Sequence, residues 1–210
     1  MKKIAIFASG GGSNFKAIYE KIISGNIPAN ISIVVSNNPN CGAINFAKKN
    51  AFPTLIVNET RYPDSDFRNK ILKQNLMKFD IDLIILAGYM KIIPKNIVAH
   101  FGNKILNIHP ALLPDFGGKG FYGIKVHEAV IQSKVTESGA TVHFVDNQYD
   151  HGPVIAQEKV IIEVDDTADS LAQKVLVLEH YLYPEVIKAY CEDRIIVQNK
   201  QPKIEAVIEN

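Results

Sequence analysis

The fold is decided by residues 3–14, which read KIAIFASGGGSN. Residues 3–8 are mostly apolar and predict a strand, and residues 14–23 carry a helical pattern. The three glycines between them let the backbone approach a ligand closely at the carboxyl end of the strand. The unpaired amides and the dipole of the following helix favour an anion there, and Ser13 and Asn14 are N-cap types that add donors.

The glycine loop is typical of a site for a single phosphate. It does not match the dinucleotide fingerprint, because Phe15 stands where the third glycine belongs and the second strand ends in polar Ser36-Asn37-Asn38. It does not match the triphosphate loop either, because no Gly-Lys-Ser/Thr follows. The alternative is a tight turn that binds nothing.

Strands and helices alternate along the rest of the chain. The predicted strands are 3–8, 31–35, 54–57, 82–87, 105–109, 140–145 and 154–162, and the predicted helices are 14–23, 42–50, 65–79, a short one with Pro94 at its first position, and 167–190. This order predicts an α/β fold: a single-domain, Rossmann-like, mostly parallel twisted sheet with helices on both faces. We expect one domain over 1–192 and a peripheral tail over 193–210.

Composition restricts the class of partner. The 210 residues carry a net charge of +1, so no global field favours nucleic acid or an anionic membrane. No apolar run reaches the roughly 20 residues of a membrane span. Cys41 and Cys191 are isolated and favour reduced thiols, with a disulfide left open. We expect a cytoplasmic protein, monomeric or homodimeric, with small-molecule partners and neither nucleic acid nor membrane.

Residues 105–110, ILNIHP, place an amide and an imidazole on one strand. Strand periodicity puts Asn107 and His109 on the same face, about 7 Å apart, and Pro110 ends the strand just after them. An amide donor beside an imidazole suits acyl chemistry, because Asn107 can stabilise an oxyanion while His109 moves a proton. A buried, structural polar pair is the alternative.

Residues 145–153 form a polar loop with two aspartates, Asp146 and Asp150. A carboxylate held against His109 would raise its pKa and fix its tautomer. Spacing alone leaves open which aspartate does so, and a plain polar turn is equally compatible. His143, in the strand before this loop, is as compatible with a structural role as with a catalytic one.

Glu179 flanks the apolar stripe of the last predicted helix. The stripe consists of Leu171, Val175, Leu178 and Leu182. A carboxylate near a core face needs a partner, which can be ligand hydroxyls or a lysine such as Lys174.

Taken together, these segments resemble the phosphoribosylglycinamide formyltransferases of purine synthesis, a family of folate-dependent formyltransferases. The resemblance runs from Lys3 to about Tyr190. It rests on SGGGSN at 9–14, LAGYMKII at 86–93, LNIHPALLP at 106–114, VHFV at 142–145 with DHGPVI at 150–155, and EH at 179–180.

The resemblance implies transfer of a formyl group from 10-formyltetrahydrofolate, a co-substrate, to the amine of N1-(5-phosphoribosyl)glycinamide, without a metal. It implies that Asn107, His109 and Asp150 are the catalytic residues. It also implies that the substrate phosphate is bound by Gly12, Ser13 and Asn14, and its ribose hydroxyls by Glu179. The folate would be contacted by Asn107 together with Met90, Lys91, Ile92 and Ile93. His109 is expected to donate a proton, with its pKa raised by Asp150.

The sequence departs from the family at several points. Residues 115–123 form a longer, glycine-rich insertion, after which His127 has an evident counterpart. His151 stands where a small residue is common. Lys91 replaces a frequent arginine, and Arg61 and Arg68 are the nearby candidates for the arginine that contacts the folate glutamate. These changes bear on recognition of the folate tail.

Three other functions fit parts of the sequence. A formyltetrahydrofolate hydrolase uses the same kind of Asn-His-Asp set with water as acceptor, but it has an added N-terminal domain. Methionyl-tRNA formyltransferases carry a C-terminal nucleic-acid-binding domain. A noncatalytic phosphosugar-binding domain has no need of the Asn107/His109 pair. The glycine loop and the position of the first strand favour the formyltransferase.

Overall fold

The computed structural model describes residues 1–199 and 201–206. In these residues the elements are β1 Lys2–Phe7, α1 Ser13–Ile23, β2 Ala29–Ser36, α2 Gly42–Lys49, β3 Thr54–Ile56, α3 Ser65–Lys78, β4 Leu83–Leu86, α4 Lys95–Phe101, β5 Ile105–His109, α5 Ile124–Ser133, β6 Glu137–Phe144, β7 Val154–Ile161, α6 Ala168–Cys191, β8 Ile195–Gln198 and β9 Gln201–Ile204. The chain divides into two compact units between Leu106 and Asn107.

The first unit is a parallel sheet built on β1. Its strand order is β3-β2-β1-β4, with β5 beginning beyond β4, and β1 pairs in parallel with both β2 and β4. All four residues of β4 and the last four of β1 are buried. Strands buried on both faces need a near-continuous apolar sequence, which explains runs such as LIIL in β4.

The second unit contains the end of β5 followed by β6 and β7. β6 and β7 pair antiparallel, and β6 is buried along most of its length whereas β7 alternates between more and less exposed residues. α6 contacts both strands and α5. It begins with a capping box, in which the Thr167 hydroxyl accepts from the Ser170 backbone N–H and the Ser170 side chain accepts from that of Thr167.

The α/β class and the mostly parallel sheet are confirmed, and the predicted strands and helices are present with small shifts at their ends. The sequence reading missed α5 and the hairpin of β8 and β9. Pro94 is the N-cap of α4 rather than its first residue. Within the tail that was predicted to be peripheral, β9 contacts β7. Lys200 and residues 207–210 of that tail lie outside the described residues. None of the helices described is long and apolar enough to cross a membrane.

The turn from β1 into α1 depends on Gly12. Its φ of +78° lies in the left-handed region, which glycine adopts without strain. A Cβ at this position would lie 2.9 Å from both the Cα and the Cβ of Ala43, the second residue of α2. The backbone of α2 therefore leaves no room for a side chain here. By contrast, a Cβ on Gly11 would meet no heavy atom within 4 Å.

We predict that Gly12→Ala lowers the free energy of unfolding by about 1–3 kcal/mol, because it combines backbone strain with a backbone clash. Gly11→Ala is the matched control and should change it by no more than about 0.5 kcal/mol. Urea denaturation of both variants measures the difference. Equal losses would contradict the assignment of the constraint to Gly12.

Candidate active site

The glycine loop presents a helix N-terminus without a side-chain cap. α1 begins at Ser13 and its N-cap is Gly12, which has no side chain to cap the first amides. Ser13 and Asn14, both N-cap residue types, are therefore the first two residues of the helix, which starts one residue earlier than predicted. Beside the loop, Gly10 and Gly11 face open space. An uncapped first turn next to open space fits an anion.

Ser9 ties the glycine loop to residues 88–90 in the first unit. Its hydroxyl donates to Asn37 Oδ1 at 2.5 Å and accepts from the backbone N–H of Met90 at 2.9 Å. Its own backbone N–H donates to the Gly88 carbonyl at 3.0 Å. These three hydrogen bonds of Ser9 thus hold the predicted phosphate-binding loop against the start of the predicted folate-binding segment.

The segment Met90–Ile93 does not present all its side chains to solvent. The side chains of Met90 and Ile92 are exposed, whereas Ile93 is only 3% exposed and belongs to the core. Lys91 Nζ lies 3.7 Å from Glu59 Oε1 in an exposed pair. Met90 and Ile92 are therefore the apolar side chains of this segment that a ligand can reach.

In the second unit, Asp150 is the centre of a buried polar cluster. Its Oδ1 accepts from the Asn107 amide at 3.3 Å, and its Oδ2 accepts from the Gly118 backbone N–H at 3.0 Å. His109 Nδ1 lies 3.5 Å from Oδ2, and His143 Nε2 lies 3.7 Å from Oδ1. The structure thus brings the predicted Asn107, His109 and Asp150 together, while Asp150 itself sits at a left-handed φ of +51°.

The protein fixes which nitrogen of His109 carries a proton. His109 is 3% exposed, and its Nε2 lies 2.8 Å from the Phe116 carbonyl oxygen. Because a carbonyl oxygen only accepts, Nε2 must be the donor, and Nδ1 then faces the carboxylate of Asp150.

His143 orients Asn107. The Nδ1 of His143 donates to the Phe144 carbonyl at 2.8 Å, and its Nε2 accepts from the Asn107 amide nitrogen, a donor, at 3.0 Å. The two N–H groups of Asn107 are therefore directed at His143 and Asp150. The sequence left the role of His143 open, and the structure places it in contact with the predicted oxyanion donor.

Burial governs the protonation of His109. It lowers the pKa of His109 below its ordinary value and outweighs the opposing effect of the Asp150 charge. The prediction that Asp150 leaves His109 with a raised pKa is therefore wrong in net direction. Burial raises the pKa of Asp150, but the interaction with His143, the charge of His109 and the Gly118 N–H together outweigh burial and hold that pKa below its ordinary value. At neutral pH the pair is an ionised carboxylate with a neutral imidazole.

The glycine-rich insertion packs on this pair. Phe116 and Gly118, which contact His109 and Asp150, both belong to residues 115–123. A Cβ on Gly117 would lie 2.5 Å from Leu113 Cδ2 and 3.2 Å from Asp150 Cβ, so a larger residue here would have to displace the Leu113 side chain. The sequence assigned this insertion no role, because its contacts are tertiary.

His127 is a further buried group that the sequence reading did not place at the site. It lies on α5 between buried Val126 and Val130, and its Nδ1 has no hydrogen-bond partner among the described residues. Burial lowers the pKa of His127, and the charge of His109 adds to that effect. The signal available in the sequence was a histidine on an otherwise apolar helix face.

Glu179 and His151 are the remaining residues that the sequence singled out. Glu179 is 8% exposed on α6, and Lys174 pairs with Asp166 at 2.6 Å. His151 turns away from its neighbour Asp150, and its Nδ1 lies 2.7 Å from Asp146 Oδ2. Within residues 1–199 and 201–206, no group of three or more His, Cys, Asp or Glu side chains is placed to hold a metal ion.

Comparison with known proteins gives the family. Residues 2–187 match the family described as formyl transferase. The chain belongs to the formyl transferase family. The resemblance, the fold and the enzyme class predicted from the motifs are thereby confirmed.

Relatives and solved structures agree with this assignment. The chain is 45% identical over 209 residues to the chloroplastic phosphoribosylglycinamide formyltransferase of Arabidopsis thaliana, covering 95% of this chain and 72% of that one. It is 37% identical to the enzyme of that name from Bacillus subtilis, covering 90% and 94%. A glycinamide ribonucleotide transformylase 1 structure from Symbiobacterium toebii superposes with a TM-score of 0.89 at 32% identity, covering 97% and 94%.

A formyltetrahydrofolate deformylase structure from Pseudomonas syringae also superposes, with a TM-score of 0.86, covering 97% of this chain and 65% of that one. At 22% identity this likeness shows the shared fold alone.

We predict that this formyl transferase loses stability when the pH falls from about 7.5 to about 5.5. Below the ordinary histidine pKa of about 6.5, the unfolded chain binds a proton at residue 109 that the folded protein does not, so acid favours unfolding. His109→Gln should lose less stability over the same interval, whereas the control His100→Gln, at an exposed position, should behave as the wild type. Urea denaturation at both pH values measures this. An equal pH dependence in wild type and His109→Gln would contradict it.

Proposed function

We propose that the protein transfers a formyl group from 10-formyltetrahydrofolate to the amine of N1-(5-phosphoribosyl)glycinamide, acting in the cytoplasm without a metal. The observation that carries this proposal is the buried cluster in which an amide donor and an imidazole share one carboxylate, Asp150. It occurs in a chain that matches phosphoribosylglycinamide formyltransferases over most of its length.

The predicted binding residues other than the core residue Ile93 have roles consistent with their surroundings. The amides at Gly12–Asn14 would hold the phosphate, since α1 starts there without a side-chain cap. The buried carboxylate of Glu179 would accept hydrogen bonds from the ribose hydroxyls. The exposed side chains of Met90 and Ile92 would pack on the folate, with Lys91 beside them.

The chemistry follows from the polar cluster. The amine attacks the formyl carbon and forms a C–N bond, while the carbonyl electrons move to the oxygen. Asn107 donates an N–H to that oxyanion, and His109 adds its Nε2–H once the Phe116 carbonyl is displaced. The oxyanion collapses, the bond from carbon to N10 of the folate breaks, and N10 takes the proton that the amine releases. Asp150 stabilises the imidazole if His109 carries that proton on its way.

Hydrolysis of the formyl-folate is the competing function, because the same cluster can act with water as acceptor. The uncapped glycine loop favours a phosphorylated acceptor, since a hydrolase needs no phosphate site. The two functions differ in one observable, namely whether release of the deformylated folate requires the ribonucleotide.

We expect purified protein to release deformylated folate only when formyl-folate and the ribonucleotide are both present. A spectrophotometric assay of folate release, with and without the ribonucleotide, measures this directly, and mass spectrometry identifies the formylated product. Equal release in both mixtures would make the protein a hydrolase.

We predict that Asn107→Ala lowers kcat by about 10²–10³, because it removes one oxyanion donor. The control is Asn50→Ala, which removes a partly buried amide that donates to the Phe46 carbonyl at the end of α2. Steady-state kinetics on both variants, with circular dichroism to establish folding, provides the test. Near-normal turnover in Asn107→Ala would count decisively against the oxyanion scheme.

A further inference from the structure

A chain of hydrogen bonds joins the carboxyl ends of four neighbouring strands in the first unit. Met90, beyond β4, donates its backbone N–H to the hydroxyl of Ser9, which lies just after β1. That hydroxyl donates to the side chain of Asn37, the residue after β2. The Asn37 carbonyl accepts in turn from the side-chain amide of Asn58, which lies beyond β3, at 3.0 Å. We call these four residues the Ser9 network.

Ser9 is the centre of this network and uses its full hydrogen-bonding capacity there. It is 8% exposed, so water does not replace its protein partners readily. Its hydroxyl has a single proton, which Asn37 Oδ1 accepts, and the oxygen accepts from Met90. A hydroxyl that donates is polarised and becomes a better acceptor. The bond to Asn37 therefore strengthens the bond to Met90.

The backbone of residues 88–93 depends on Ser9 for its hydrogen bonds. Among the residues that the structure describes, this backbone bonds to Ser9 alone, through the Gly88 carbonyl and the Met90 N–H. The segment forms neither helix nor strand. A segment with so few internal hydrogen bonds is set in place largely by its outside contacts. Ser9 therefore controls where the predicted folate-binding segment begins.

The other side of Ser9 is the glycine loop. Gly10 follows it directly, and the backbone N–H groups of Gly10, Gly11 and Gly12 have no acceptor among the described residues. Glycines have more backbone freedom than other residues, and Gly10 and Gly11 face open space. An anion that binds these amides would restrict that freedom in the residues next to Ser9. Ser9 thus connects two segments that ligands are expected to order.

We propose that Ser9 is a positioning residue that couples the binding of the two substrates. This inference rests on the proposed function and adds cooperativity to it. The phosphate orders the glycine loop and with it Ser9, and Ser9 holds the start of the folate-binding segment. The second substrate then loses less conformational entropy on binding than it would alone. By linkage, each substrate raises the affinity for the other by the same factor.

Isothermal titration calorimetry tests the coupling. The dissociation constant of glycinamide ribonucleotide is measured with and without saturating tetrahydrofolate, which has no formyl group to transfer. We expect tetrahydrofolate to tighten ribonucleotide binding about fivefold in the wild type. In Ser9→Ala the ratio of the two constants should fall below about twofold, because the bonds to Met90 and Asn37 are lost. A wild-type ratio of one would overturn the inference.

Variants of Asn37 test the network independently of Ser9. Asn37→Ala removes the acceptor of the Ser9 hydroxyl and should lower the ratio as Ser9→Ala does. Asn37→Asp keeps an acceptor oxygen at the same position and should retain the wild-type ratio. The added negative charge weakens binding of a phosphorylated ligand with or without the folate, so it leaves the ratio unchanged. A low ratio in Asn37→Asp would contradict the network.

The matched control is Ser36→Ala, which removes another buried serine hydroxyl at the end of a strand. That hydroxyl donates to the Asn38 carbonyl at 3.1 Å and is no part of the Ser9 network. Its loss perturbs the structure locally and should leave the ratio at its wild-type value. An equal fall of the ratio in Ser36→Ala and Ser9→Ala, or no fall in Ser9→Ala, would overturn the role of Ser9.

The binding experiment and the transfer assay fail separately. If the ribonucleotide accepts the formyl group but the wild-type ratio is one, the coupling fails and the proposed function stands. If the ribonucleotide accepts no formyl group, the proposed function fails and the coupling inference fails with it.

Discussion

The desolvated carboxylate of Asp150 is the interaction on which the second unit's chemistry depends. A buried charge is tolerated only when it is well hydrogen-bonded, and Asp150 accepts hydrogen bonds from Asn107 and the Gly118 N–H, with His109 at 3.5 Å and His143 at 3.7 Å beside it. These partners come from β5, from the glycine-rich insertion and from β6. Satisfying one carboxylate therefore brings three separate segments of the unit together.

The same constraint explains why the proposed catalytic donors are occupied by the protein itself. Both N–H groups of Asn107 and the Nε2–H of His109 have protein acceptors. An oxyanion competes for these donors better than a neutral carbonyl does, so the exchange favours the transition state over the bound substrate. In the proposed reaction, the neutral imidazole of His109 gains a proton beside the ionised Asp150, and the carboxylate stabilises the charge that develops.

The sequence was sufficient for features that depend on local periodicity and was insufficient for those that depend on tertiary burial. The alternation of β5 predicts that Asn107 and His109 share a face, and the strand, glycines and helix of residues 3–23 predict the first turn of the fold. Nothing local indicates that burial outweighs Asp150 at His109, because the degree of burial depends on segments distant in sequence. For the same reason the contacts of the insertion could be recognised only in three dimensions.

The central claim is that burial lowers the pKa of His109 while the charge of Asp150 opposes it. The most direct measurement is an NMR titration of ¹⁵N-labelled histidine in wild type and in Asp150→Asn, with His109→Gln used to assign the signal among the six histidines. The account predicts a wild-type His109 pKa below about 6.5 and a still lower pKa in Asp150→Asn. A wild-type pKa at or above that value, or one that Asp150→Asn leaves unchanged, would contradict the account.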